Sequence, residues 1–284
     1  MQSRELGLVL LQQLLRADDL HYGYWDAGLD PTLANLPRAQ RRYTEVLLAA
    51  LRALALPPQR VLDVGCGAGT LLAELRALGY AAEGVSPAPN LTRVARERLA
   101  REGRAETRIF ECTFEAFPRA ERPAHYDVVL FSESFQYIPT RATLALAPAI
   151  LRPGGHLLIC DFFKTAAHGD GGPADGSFRG GHPIGEFYGE VGRSRFKIVR
   201  DEDITAAIAP TLVLVDEILM HRVLPAARTL AVHLAERHPW VVRAIRLLWG
   251  RKLATARHKY FSGHRTAETF SRYKTYRLIA LQLQ

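Results

Sequence analysis

The stretch Val61-Leu62-Asp63-Val64-Gly65-Cys66-Gly67-Ala68-Gly69-Thr70 constrains this chain more than any other. An apolar run carrying an acid leads into three glycines at alternate positions, the pattern of a strand, a tight turn and a helix start. Glycine reaches positive φ and has no Cβ, so such a backbone can turn sharply and lie against a ligand. The spacing departs from the dinucleotide fingerprint Gly-x-Gly-x-x-Gly, because the third glycine comes one residue early and an acid precedes the first. An ordinary strand–helix turn remains compatible with these residues, so the rest of the chain decides.

The 284 residues suffice for one large α/β domain with an elaborated cap. An apolar content of 48% and a charged content of 23% are ordinary for a globular protein that works in water. Cys66, Cys112 and Cys160 are scattered, without a CxxC pair or a histidine at ligand spacing. The expectation is therefore no disulfide scaffold and no metal site, in a reducing, cytoplasmic setting. The N-terminus is too short and polar in its apolar run for a signal peptide, and no stretch approaches the roughly 20 apolar residues of a membrane span. The net charge of +8 is uneven: residues 221–284 carry 13 Lys/Arg against Glu236 and Glu268, a net +11, whereas residues 1–220 net −3. That excess suits an anionic substrate, a membrane surface or nucleic acid. Nucleic acid fits least, because the chain has neither an RNA-recognition signature nor a dedicated basic domain.

Periodicity predicts an amphipathic helix over 5–17, an aromatic segment at His21-Tyr22-Gly23-Tyr24-Trp25, and a helix from Pro37 to Leu54. Strands and helices then alternate, which predicts a doubly wound, mostly parallel sheet of α/β class. The predicted strands are Arg60–Val64, Ala81–Val85, Thr107–Cys112, Tyr126–Ser132 and His156–Phe162. Helices are expected over Leu71–Leu78, Asn90–Glu102 and Arg141–Leu151. Residues 169–192 hold nine glycines with Pro183, a composition that predicts a lid loop without regular structure. A strand near Arg195–Val199, a helical block over 205–270 and a last strand Thr275–Leu283 follow. The organisation expected is an arm (1–55), an α/β core (56–165), a glycine-rich lid (166–194), and the end of the sheet (195–284) with a helical cap inserted at 205–270.

In an open parallel sheet the ligand lies beyond the carboxyl ends of the strands. Those ends are Asp63 with Gly65, Gly67 and Gly69, then Ser86, Cys112-Thr113-Phe114, and Ser132-Glu133. Four signatures occur in order: VLDVGCGAGT, GVSPAP, YDVVLFSESFQYI and LRPGGHLLICDFF, with YRLIALQL at the end. The block from 59 to 162 thereby resembles the class I S-adenosylmethionine-dependent methyltransferases. It is closest in pattern to the small-molecule branch with tocopherol, sterol and cyclopropane-fatty-acid enzymes.

The resemblance implies a seven-stranded Rossmann-like sheet and S-adenosyl-L-methionine as cofactor. Asp63, Gly65, Cys66, Gly67 and Gly69 would surround its amino acid end. Cys112, Thr113 and the Phe114 ring would frame the adenine, and Ser132 would line the same crevice. Many members place an acid after the second strand to hold the ribose; here Ser86 and Asn90 take that place, and Glu83 is read as a solvated strand charge. Tyr22 and Tyr24 would fold over the sulfonium, as aromatic faces attract a cation and exclude water. Glu133, Gln136 and Tyr22 are the catalytic candidates, with Glu133 and Gln136 placed to touch substrate or the sulfonium; a histidine found in many relatives at position 136 is absent, so the base stays open among His21, His182 and His264. The implied acceptor is a small, lipophilic or secondary-metabolite molecule methylated at C, O or N. A cyclopropane-forming lipid enzyme and a non-catalytic cofactor-binding protein are the alternatives. Residues 239–253 form a basic amphipathic helix with Trp240 and Trp249, a candidate for peripheral membrane contact, although packing of its apolar face on the core is the favoured reading.

Overall fold

The computed structural model describes residues 21–54, 59–172, 174–175, 178, 180–240, 242–243, 247–251, 254 and 261–284. The helix expected over 5–17 lies outside the described residues. Short Val/Leu/Ile-rich runs become strands buried on both faces, as central parallel strands require. They are β1 (Arg60–Val64), β2 (Ala81–Val85), β3 (Ile109–Phe110), β4 (Tyr126–Ser132), β5 (Leu151–Lys164), β6 (Phe196–Asp203) and β7 (Lys274–Leu283). Their order is β3-β2-β1-β4-β5-β7-β6, with β1 to β5 parallel and β7 antiparallel to both β5 and β6. The doubly wound, seven-stranded fold expected from the sequence is the fold observed.

Helices cover both faces: α1 (Leu36–Leu54), α2 (Thr70–Ala77), α3 (Pro89–Arg101), α4 (Thr140–Leu146) and α5 (Ile184–Gly192). Alternation along each strand sends side chains into two cores. Val61, Val128, Leu158 and Leu278 meet Leu47, Leu51 and Leu72 on one side. Leu62, Val129, Ile159 and Ile279 meet Leu144, Phe187 and Val191 on the other. Between β6 and β7 lie α6 (Thr205–Ile208), α7 (Thr211–Asp216), a π-helical turn (Glu217–Val223), α8 (Leu224–Arg237) and α9 (Ala267–Tyr273).

Four expectations are corrected. The helix expected over Arg141–Leu151 ends at Leu146, and Leu151 begins β5 instead. Tyr126 pairs with Leu151 and Val128 with His156, so Arg152 to Gly155 bulge from the ladder. The glycine-rich stretch is not wholly irregular: Ile184–Gly192 is a helix because Phe187 and Val191 are buried in the core, and tertiary burial outweighs the weak propensity of its glycines. Glu83 is no solvated charge; its carboxylate accepts from the Tyr126 hydroxyl at 2.5 Å and pairs with Arg122 at 3.3 Å. Of the apolar face expected to pack on the core, Leu248 and Trp249 are 67% and 49% exposed and Val242 is half-buried, while Val241 and Ile245 lie outside the described residues.

Candidate active site

The glycine turn sits at the carboxyl edge of β1, between β2 and β4. The Gly65 and Cys66 amides both donate to the Val85 carbonyl, at 2.8 and 3.1 Å, which stitches the turn to the neighbouring strand. Gly65 has φ of +82°, and a Cβ there would lie 2.4 Å from that of Ser134. Gly69, at φ +79°, caps α2 and lies against Ala95 of α3, where a Cβ would meet another at 2.8 Å. Only glycine satisfies both the dihedral and the contact.

Beneath the turn is Asp63, buried, with its Oδ2 lacking a hydrogen-bond partner among the described residues. Burial pushes this carboxyl up to about 7. The Thr70 hydroxyl at the start of α2 is likewise buried without a partner. Buried polar groups are normally satisfied, and at Asp63 and Thr70 the polar groups of a ligand can supply the partner. A carboxylate acceptor, a hydroxyl and a backbone approachable only past glycine fit the ammonium and carboxylate of an amino acid group. The residues present therefore fit the amino acid end of S-adenosylmethionine.

Further along the same edge, Ser86 is buried and accepts from the Ala88 amide at 3.3 Å, which leaves its hydroxyl proton available. Asn90 stands exposed in the first turn of α3, and Cys112 is half-buried beyond β3. Thr113 is exposed and accepts from the Ala116 amide at 3.3 Å. Phe114 is 2% exposed and packs edge-on to Phe131 at 5.6 Å. Its ring thus belongs to the core rather than to an adenine wall.

On the other side of the crevice, the strand-end residue Glu133 adopts φ of +53°, uncommon for a residue with a Cβ, and its amide donates to the Cys160 carbonyl at 2.9 Å. Its Oε1 accepts from the Tyr22 amide at 2.8 Å and the Tyr276 hydroxyl at 2.7 Å. The Tyr276 and Tyr43 hydroxyl oxygens lie 3.1 Å apart, and Tyr43 lies 3.2 Å from the Ser132 hydroxyl. Burial raises the Glu133 carboxyl, while His21 and the two donors pull it back down. Asp161 accepts from the Gln136 amide at 2.9 Å and its own neighbour Phe162 at 2.8 Å, and burial holds it up at about 8. The Gln136 amide side chain donates to Asp161 Oδ1 at 3.3 Å, so it braces a second carboxylate.

The aromatic arm crosses above. The Tyr22 ring meets Phe162, Phe270 and Tyr276 at centroid distances of 6.4, 5.9 and 6.0 Å, forming an aromatic box. Trp25 anchors the arm, its indole N–H donating to the Thr211 hydroxyl of α7 at 2.9 Å. Tyr24 is half-buried against the core, with the Arg42 guanidinium 5.8 Å over its ring. Beneath the arm a cleft of about 20 Å³ is lined by His21, Tyr43, Thr70, Glu74 and Ser132. Of the base candidates, His182 is committed to the Phe135 carbonyl at 3.0 Å. Tyr43, Phe162, Phe270, Tyr276 and Lys274 are absent from the sequence-based set; the four aromatics fall inside expected helices and strands with no motif of their own, and Lys274 falls just before the expected last strand.

The fold and crevice define a doubly wound α/β protein with a ligand site at the strand ends around a glycine turn. Comparison with known proteins gives the family: residues 37–188 match the methyltransferase domain family, and the chain belongs to it. A ubiquinone biosynthesis O-methyltransferase from Xanthomonas campestris pv. campestris is 34% identical over 116 residues, 40% of this chain and 47% of the relative. One from Xanthomonas euvesicatoria pv. vesicatoria is 34% identical over 147 residues, 51% of this chain and 58% of the relative. The chain thus spans about half the length of the curated relatives it matches. Among solved structures, geranyl diphosphate C-methyltransferase from Streptomyces coelicolor A3(2) has a TM-score of 0.67 at 17% identity, covering 97% of this chain and 92% of its own. The cyclopropane synthase MmaA2 from Mycobacterium tuberculosis has 0.65 at 19%, covering 93% and 90%. The [4+2]-cyclase SpnF has 0.68 at 18%, covering 100% and 97%. That cyclase carries the same architecture, so the fold alone does not fix a reaction.

Proposed function

We propose that this protein transfers a methyl group from S-adenosyl-L-methionine to a small, lipophilic acceptor. The observation that carries the reading is the orphaned, buried Asp63 carboxylate under the glycine turn, with the half-buried Glu133 just past the end of the neighbouring strand β4. When bound, S-adenosylmethionine supplies a methyl group on a sulfonium centre, open to in-line attack. Asp63 and Thr70 hold the amino acid end, and Ser86 with Asn90 serves the ribose in place of an acid. Tyr22, Phe162, Phe270 and Tyr276 make an apolar box for the acceptor and keep water out. Glu133 takes the acceptor's proton; Tyr276 and Tyr43 fix its carboxylate, and Gln136 braces Asp161 beside it. Positioning supplies much of the rate in such a displacement. Calorimetry with S-adenosylmethionine and S-adenosylhomocysteine tests the reading. Binding of both is expected, and the absence of either at millimolar concentration overturns it.

A second observation supports contact with an anionic membrane surface. Leu230, Val232, Trp240, Leu247, Leu248 and Trp249 are exposed in a region whose chain segment 221–284 carries a net +11. Exposed tryptophan with basic neighbours suits a headgroup boundary, where a lipophilic acceptor would also reside. The protein is expected to sediment with phosphatidylglycerol vesicles and release from them with salt. Equal sedimentation of a Trp240→Ser/Leu247→Ser/Trp249→Ser variant rejects the contact, as does self-association without vesicle binding.

A further inference from the structure

Lys164 and Lys274 stand directly opposite one another in the β5–β7 ladder, at the crevice edge of the sheet. Opposed residues in a ladder project from the same face, and like charges so placed repel. Two rungs further into the ladder, on that same face, Phe162 is paired with Tyr276, two walls of the aromatic box. Lys274 is 1% exposed; its ammonium donates to the Gly180 carbonyl and sits 5.2 Å over the Phe162 ring.

The acids nearby are committed elsewhere. Asp170 pairs with Arg272 at 2.7 Å, Asp175 lies 3.8 Å from His168, and Asp161 accepts the Gln136 and Phe162 amides. Among the described residues neither lysine forms an ion pair. Burial and the Lys164 charge push the Lys274 ammonium down to about 7, as an uncompensated buried cation requires. A third cation, Arg265, lies 5.3 Å over the ring of Phe178, which itself packs on Phe270. A structural lysine gains from a carboxylate partner; two opposed lysines without one suit an anion that arrives with a ligand.

We infer that Lys274, with Lys164 and Arg265 at the rim of the Tyr22–Phe162–Phe270–Tyr276 box, binds an anionic head group, carboxylate or phosphate, on the acceptor. The inference rests on the box being the acceptor site, and it adds charge to the substrate class. The apolar body enters the box while the anion meets the ammonium groups. Glu133 stands at the far side of the Tyr276 ring, bonded to its hydroxyl, so the acidic and basic ends of the site are separated.

The test uses the full chain saturated with S-adenosylhomocysteine, titrated with probes paired by charge: naphthoate against naphthamide, and phenyl phosphate against phenol. At least one anion is expected to bind about tenfold or more tightly than its neutral partner, the scale of a charge-assisted contact. The pair that discriminates identifies carboxylate or phosphate as the head group. Lys274→Met should bring that ratio to about one, and Lys164→Met should reduce it. A merely structural Lys274, pinning the loop through Gly180, would weaken both members of a pair equally and leave the ratio intact. That result overturns the inference, as does equal binding of charged and neutral probes or binding of none. Lys164→Met keeps the test decisive should Lys274→Met fail to fold. Failure of S-adenosylhomocysteine to bind the wild-type chain is a separate outcome, which sinks the methyl-transfer reading itself.

Discussion

On the β1–β2 side, ten consecutive residues from Val61 to Thr70 build the crevice; on the β4–β7 side, Tyr22, Tyr43, Glu133, Phe162, Phe270 and Tyr276 converge from separate segments. The first wall is backbone, shaped by positive φ and by contacts that forbid a Cβ. The second is side chain, held by hydrogen bonds and ring contacts across the sheet. A backbone wall can serve any acceptor with one cofactor, whereas a side-chain wall can be rebuilt for each acceptor. The geranyl diphosphate enzyme, the cyclopropane synthase and the cyclase share this architecture at under 20% identity.

If the two walls divide the labour so, mutations should separate cofactor binding from turnover. The largest effect is expected from Gly65→Val, whose Cβ would collide with Ser134 at a φ that valine avoids. Overpacking of that kind costs about 1–3 kcal/mol, and S-adenosylhomocysteine binding should vanish by calorimetry. Retained affinity would break the assignment of the turn. Glu133→Gln should lower kcat by about 10²–10⁴-fold, the range for loss of a general base, with cofactor affinity little changed. A parallel loss of both would merge the two walls into one function.

Tyr276→Phe should have a smaller effect, about tenfold on kcat for one lost hydrogen bond to a charged group. Because the Tyr276 hydroxyl lowers the Glu133 carboxyl, its removal should move the acid limb of the pH–rate profile to higher pH. A limb that stays or falls contradicts the base assignment. The last effect concerns not activity but stability without cofactor. Asp63 titrates near 7 and Asp161 near 8 in the folded chain, against about 3.9 when unfolded. Between those values the folded state binds more protons, so stability should fall as pH rises from about 4 toward 8. Asp63→Asn should flatten the melting-temperature profile below about pH 7, and an unchanged slope would place Asp63 in a wetter site.

Much of the first wall was legible in the sequence because it is local. The strand limits at Arg60–Val64, Ala81–Val85 and Tyr126–Ser132 follow from apolar runs, and the glycines mark the turn directly. Legibility failed where burial overrode composition. Ile184–Gly192 reads as loop by its glycines yet is helical, since Phe187 fills a gap beside Phe135 and Phe163. It failed again where a residue's partner is remote. Glu83 reads as a solvent-facing strand charge until Arg122 and Tyr126 are brought to it by the chain's return. Phe114 reads as pocket aromatic by its place after β3, but Phe131 and its neighbours draw the ring into the core.

The amino-acid sequence by itself determined the doubly wound sheet, the glycine turn and the order of the strand-end signatures, because alternation, turn chemistry and spacing act within a few residues. Only the tertiary structure decided that Asp63 is left without a partner among the described residues, that Tyr22 closes on Glu133, that two lysines face each other beside the aromatic box, and that Trp240 and Trp249 are exposed. Those are properties of pairs of residues more than 50 positions apart in most cases, such as the 111 that separate Tyr22 from Glu133. Their energies arise from desolvation and contact, which exist only after the chain has closed on itself.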